Sequence, residues 1–152
     1  MPITMLVVDD NEHFRYIAAQ AARIDGRVQM IGEAEQSVDA ITMCLSHNPD
    51  VVLLDLHMPA MDGLEAIQGI RGVSPDSKII AWSGFDETFG EDAVSLGADD
   101  HLSKATPVSR VIERVVELAG ERTQVSAEND RQWIGTYVLR SLTLKENGSQ
   151  IA

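Results

Sequence analysis

The sequence predicts a doubly wound α/β domain, a parallel sheet covered by helices on both faces, and two observations carry that prediction. Short apolar, β-prone runs alternate with helical patterns about five times before residue 120, the order expected when each strand is followed by a crossover helix. One run, Val51-Val52-Leu53-Leu54, is apolar at every position, which suits a central strand with both faces buried.

The elements follow in order. Ile3 to Val8 reads as the first strand; Phe14, Ile17, Ala18, Ala21 and Ala22 then recur at helical spacing, and Asp25-Gly26 closes that helix. A second strand spans Val28 to Ala34, and Ser37 is placed to cap a helix carrying Val38, Ile41 and Leu45 that ends at Asn48-Pro49. Beyond the Val51 to Leu54 strand, the loop Met58-Pro59-Ala60-Met61-Asp62-Gly63 leads into a short helix with Leu64, Ile67 and Ile70, broken around Gly72 and Pro75. Lys78 to Ser83 is a fourth strand. A weak helix from Thr88 to Leu96 stops at Gly97, Asp100 to Ser103 is a short fifth strand, and Pro107 opens a last helix striped by Val108, Val111, Ile112, Val115 and Ala119.

A chain of 152 residues with 44% hydrophobic and 24% charged residues fits one globular domain and an appendage. No apolar run approaches the ~20 residues of a membrane span, and the Met-Pro-Ile-Thr-Met start has no basic lead, so cytoplasm is the expected location. Residues 1–120 hold 20 acidic and 8 basic side chains and residues 121–152 hold 4 of each, so the whole excess of −12 sits on the body. Such a surface repels polyphosphate and disfavours direct nucleic-acid binding, while basic protein surfaces and metal cations remain suitable partners. The single Cys44 forms no internal disulfide and reads as a small buried hydrophobe.

Ligands of an open parallel sheet sit beyond the carboxyl ends of its strands, and the polar residues fall there. Asp9 and Asp10 end the first strand, Asp55 the third and Ser83 the fourth, and Lys104 follows the fifth. Each alone has an ordinary explanation, Asp10 as a helix cap and Lys104 as a surface cation among them. Together, three carboxylates at one sheet edge repel one another unless a cation or proton intervenes. Mg²⁺ suits such a cluster because it prefers oxygen ligands and keeps several waters. Phosphoryl transfer needs an in-line nucleophile, charge neutralisation and positioning groups; Asp55 suits the first role, a metal and Lys104 the second, and Ser83 the third.

With these residues in view, the chain resembles the receiver domain of two-component response regulators over about residues 3–120. The matching segments are Leu6-Val7-Val8-Asp9-Asp10-Asn11, Val51 through Gly63, Ile79-Ile80-Ala81-Trp82-Ser83-Gly84, and Gly97 through Lys104. The resemblance implies a flavodoxin-like (βα)₅ fold with strand order 2-1-3-4-5, Mg²⁺ (or Mn²⁺) dependence, a phosphohistidine donor on a sensor kinase or phosphotransfer protein, and slow self-catalysed hydrolysis. Carried across by position, Asp9, Asp10, Asp55 and the backbone carbonyl of His57 are implied metal ligands. Asp55 is also the implied phosphoacceptor, Ser83 the hydroxyl that follows the phosphoryl group, and Lys104 the site lysine.

Three positions depart from the family pattern. His101 stands where Tyr or Phe is usual, as the switch aromatic, and an imidazole with an ordinary pKa of about 6.5 would make its burial pH dependent. His57 and Phe85 border the phosphoryl position, and the Phe85 ring would slow attacking water and lengthen the life of the phosphoryl state. Ala105 follows Lys104 where the family often has a cis proline; a cis bond here costs about 3 kcal/mol.

Residues 121–152 read as a polar linker and an amphipathic extension. Trp133, Ile134, Tyr137, Val138 and Leu142 form one stripe if helical, and 136–144 could instead be a strand. That is too little chain for a DNA-binding effector, so output is expected through a protein partner or a homodimer seam, by a phosphoacceptor switch rather than an enzyme. Two alternatives stand beside this. One is the receiver fragment of a longer transcriptional regulator. The other is an aspartyl-phosphate phosphotransferase or phosphatase, which would want a second acid where His57 stands.

Overall fold

The computed structural model of the protein describes residues 1–59, 63–84 and 87–121. Five parallel strands, β1 (Ile3–Val8), β2 (Val28–Ala34), β3 (Val51–Leu54), β4 (Lys78–Ser83) and β5 (Asp100–Ser103), lie in the order β2-β1-β3-β4-β5. Between and after them run α1 (Glu12–Asp25), α2 (Ser37–His47), α3 (Gly63–Val73), α4 (Glu87–Ser95) and α5 (residues 108–121). This is the flavodoxin-like receiver fold, with the strand order the resemblance implied.

Alternation along the central strands divides the core in two. Leu6, Val8, Val52, Leu54, Ile79 and Ala81 pack on one face with Ala66, Ile67 and Ile70 of α3 and Cys44 of α2. Met5, Val7, Val51, Leu53, Ile80 and Trp82 face the other way, against Ala18 and Ala22 of α1 and Val111, Ile112 and Val115 of α5. All four β3 residues are fully buried, as a strand covered on both faces requires.

Helix ends follow local chemistry. Gly26 takes φ +79° and its N–H returns to the Ala22 carbonyl, while Asn48 ends α2 at φ +44°, both in the left-handed region that Gly and Asn tolerate. Asn11 caps α1 by accepting from the His13 N–H at 2.9 Å, which leaves Asp10 free of capping. The cap assigned to Ser37 is corrected: Gln36 holds the cap position, and Ser37 is already helical with its hydroxyl buried and without a hydrogen-bond partner. No peptide bond among the described residues is cis, so Lys104–Ala105 is trans. The stripe assigned to 133–142, and the choice of helix or strand there, lie outside the described residues.

At the amino ends of the strands, Asp50 accepts from the Thr4 N–H at 2.9 Å and its carbonyl from the Lys78 N–H at 2.9 Å, joining β1, β3 and β4. At the carboxyl ends, Val8 pairs with Leu54 and Leu54 with Ala81, so the residues after β1 and β3 emerge side by side. Arg71 of α3 clasps the far edge: its Nε donates to the Gly97 carbonyl at 2.8 Å and its guanidinium pairs with Asp99, whose Oδ2 also accepts from the Ile79 N–H at 2.8 Å. Arg71→Ala removes the side-chain donor to the Gly97 carbonyl and the guanidinium partner of Asp99 and is expected to lower stability by about 2–3 kcal/mol, read as the urea midpoint at constant slope.

Candidate functional site

The acidic cluster is a product of strand register. The Asp9 N–H donates to the Ala34 carbonyl at 3.0 Å and the Asp55 N–H to the Val8 carbonyl at 2.8 Å, so both side chains leave the sheet at adjacent points. Asp9 and Asp55 are buried and Asp10 is exposed, and one carboxylate oxygen from each lies within 4.8 Å of the others. Lys104 reaches across from the end of β5, its Nζ 2.7 Å from Asp9 Oδ2 and 3.4 Å from Asp55 Oδ2. Asp10, Asp55 and Lys104 border a cavity of about 470 Å³ with Asn11, Phe14, His57, Gly84 and Ala105.

The carboxylates are held as acceptors. The Asn11 N–H donates to Asp9 Oδ1 at 2.8 Å and the His57 N–H to Asp55 Oδ1 at 3.0 Å. Asp9 Oδ2 is buried and makes no hydrogen bond, having only the lysine charge beside it. A buried carboxylate oxygen whose one positive neighbour is the Lys104 ammonium, beside two further carboxylate oxygens, fits a hard divalent cation. Burial, with the charge of Asp9 adding to it, pushes the Asp55 carboxyl up to about 6 against the opposing pull of the His57 N–H and Lys104.

Ser83 and Lys104 are joined through the backbone, the Lys104 N–H donating to the Ser83 carbonyl at 2.8 Å. The Ser83 side chain faces the other neighbour in β5: its Oγ lies 3.1 Å from His101 Nε2. The imidazole occupies the space a side chain at Gly90 of α4 would need, since a Cβ there would come within 2.0 Å of His101 Nδ1. Of the residues picked out in the sequence, Asp10, Asp55 and Lys104 line one cavity together with His57, Asp9 lies buried beside them in the carboxylate cluster, and Ser83 and His101 form the adjoining pair. Phe85 lies outside the described residues.

Three residues near the site were given no site role from the sequence. Arg15 is buried in α1, donating from Nη1 to the Asp9 carbonyl at 2.8 Å and pairing with Glu35 at 3.1 Å; a charged residue on the apolar stripe of α1 was its only signal. Gly90, a glycine inside a helix, was the only sign of the close approach of His101. Phe14 read as core, yet its ring lies under the lysine, with Nζ 4.1 Å from the ring centroid.

Residues 5–116 match the response regulator receiver domain. The chain belongs to that family. Among its relatives is protein-glutamate methylesterase/protein-glutamine glutaminase 1 of Pseudomonas aeruginosa, 31% identical over 94% of this chain and 40% of the relative. Another is the probable transcriptional regulatory protein NarL of Mycobacterium tuberculosis, 30% identical over 82% of this chain and 58% of the relative. The receiver chain thus spans roughly two fifths to three fifths of the length of these relatives. The solved receiver domain of the Mycobacterium tuberculosis NarL superposes with a TM-score of 0.74 at 29% identity, covering 78% of this chain and 97% of that one. A Burkholderia pseudomallei response regulator solved with a phosphorylated aspartic acid and a calcium ion superposes at 0.66 with 26% identity, covering 84% and 72%. The protein has a two-component response regulator role; receivers typically bind Mg²⁺, and this chain carries the acidic cluster of Asp9, Asp10 and Asp55. No helix among the described residues is long and apolar enough to cross a membrane.

Two measurements probe this geometry. The folded Asp55 carboxyl binds its proton more tightly than in the unfolded chain, so its stabilising contribution is complete below about pH 4 and is lost as pH rises through about 6. In metal-free buffer Asp55→Asn should therefore flatten the stability profile over that window and raise stability at pH 7 by roughly 1–3 kcal/mol. Gly90→Ala should cost about 1–3 kcal/mol while His101 is present. In the His101→Ala background the same change should stabilise by about 1 kcal/mol through helix propensity, and thermal melts of the four proteins read that reversal of sign.

Proposed function

We propose that the protein is a phosphoacceptor switch in which Asp55 takes a phosphoryl group from a phosphohistidine on a sensor kinase or phosphotransfer protein. The observation that carries the reading is the convergence of the Asp55 carboxyl with the lysine ammonium at 3.4 Å and the Asp9–Asp10 pair within 4.8 Å. Asp9, Asp10, Asp55 and the His57 carbonyl would hold Mg²⁺, which supplies neutralisation of the phosphoryl oxygens. An Asp55 carboxylate oxygen attacks phosphorus in line, the bond from phosphorus to the donor nitrogen breaks, and the electron pair leaves with the imidazole. Lys104 balances the charge gained at the acceptor, and the Ser83 hydroxyl donates to a phosphoryl oxygen.

The output belongs to the Ser83–His101 pair. A hydroxyl drawn toward the phosphoryl group changes its bond to the imidazole, and His101 rests against α4, so a local charge is converted into a shift of the α4–β5 face. A protein partner reads that face in a cytoplasmic setting, and residues 1–120 act as the receiver with 121–152 as an extension. The chain acts as a switch, with no catalysis beyond handling its own phosphoryl group; His57 and Phe85 border that group and set its lifetime.

Incubation with a small phosphodonor and Mg²⁺ tests the reading. Intact mass should rise by one phosphoryl group in the wild type, not in Asp55→Asn, and only slowly without the cation. Lys104→Ala and Asp9→Ala should each slow the gain by about tenfold or more, as loss of one charge-stabilising group does. Equal phosphorylation of Asp55→Asn sinks the proposal.

A further inference from the structure

The Lys104 ammonium has three close neighbours at the site among the described residues. Two are the carboxylates of Asp9 and Asp55, at 2.7 and 3.4 Å, and the third is the face of the Phe14 ring, 4.1 Å from Nζ to its centroid. These partners differ in what a divalent cation does to them. A cation on Asp9, Asp10 and Asp55 competes for the same oxygens and repels the ammonium, so both ion pairs weaken together. The ring carries no net charge and is not a ligand for a hard metal, so its quadrupolar attraction for the ammonium persists. We propose that Phe14 is a positioning residue for Lys104, an uncharged seat that keeps the ammonium at the cavity when metal takes over the carboxylates.

The seat is built to hold its orientation. Phe14 rises from the first turns of α1, and its ring stands in a T-shaped pair with Trp82, centroids 5.3 Å apart and planes at 81°. Trp82 is fully buried in β4 and lies 5.8 Å from the lysine Nζ on its own account. A lysine stem has four carbons and rotates freely unless its head is held; only 12% of this side chain is exposed, and on one side the ring covers it. A purely structural role, filling space beneath α1, would be met equally by any apolar side chain of similar size.

The inference rests on the preceding reading of the site and is tested separately from it. In wild-type protein the Lys104 ε-methylene proton resonances should be displaced upfield by the Phe14 ring current, and should remain so when Mg²⁺ saturates the site. Phe14→Leu should slow phosphorylation from phosphoramidate at saturating donor by about three- to thirtyfold, the range open to a desolvated cation–ring contact, while Phe14→Tyr stays within about twofold of wild type. In the Lys104→Ala background, Phe14→Leu should change nothing further. Phe14→Met fills the space with a flexible thioether and serves where Phe14→Leu does not fold. A lysine resonance that returns to the free-lysine position on Mg²⁺ addition overturns the inference, as does a wild-type rate in Phe14→Leu or an equal loss with and without Lys104. A wild type that gains no phosphoryl group on Asp55 overturns the parent reading instead.

Discussion

Mutual repulsion among Asp9, Asp10 and Asp55 is the constraint around which the rest of this domain is arranged. Parallel register delivers Asp9 and Asp55 to adjacent points at the carboxyl ends of β1 and β3, and burial removes the water that would screen them. The sheet cannot relax this by local adjustment, because each residue's backbone N–H is bound to the neighbouring strand. Lys104 brings one positive charge from the far side of the sheet, and Arg15 braces the Asp9 carbonyl from beneath. One lysine against three carboxylates leaves the cluster short of positive charge. The net −12 of the chain extends the same imbalance over the surface of the body.

Ser83 and Lys104 each rest against an aromatic ring. Ser83 is held by His101, whose ring sits where α4 has only the hydrogen of Gly90. Lys104 is held by Phe14, itself braced by Trp82. Both contacts are made by side chains that lie outside the carboxylate cluster. Ser83 and Lys104 are also joined by one backbone hydrogen bond, from the Lys104 N–H to the Ser83 carbonyl, which ties the ends of β4 and β5.

Much of this was legible in the chain, and for a physical reason. Central parallel strands are buried on both faces, so Val51 to Leu54 and Lys78 to Ser83 stand out as apolar runs. Gly26, Asn48 and Gly97 mark helix ends because they tolerate positive φ. The polar site residues were legible because a parallel sheet gathers strand ends, which makes sequence position a guide to spatial position. Contacts between elements were not. Ser37 looked like a cap because the type suits one, but the helix begins a residue too early for its hydroxyl to act. Gly90 and His101 are eleven residues apart by number, and nothing in either residue type announces that one ring fills the other's place. Arg15 and Phe14 sat inside a helical pattern that gave no direction for their far ends.

The chemistry occupies only one end of the sheet, and the other end is closed in a different manner. Asp50 binds the Thr4 N–H and hydroxyl and, through its carbonyl, the Lys78 N–H, tying three strands by hydrogen bonds that involve no part of the cavity. Met1 enters at that end, about one strand length, roughly 20 Å for six residues, from Asp9. A reporter or tether attached at Met1 would thus be anchored beyond two Debye lengths from Asp9 at physiological ionic strength. Surface immobilisation through that point should leave the phosphoryl chemistry facing outward and electrically unaware of its support.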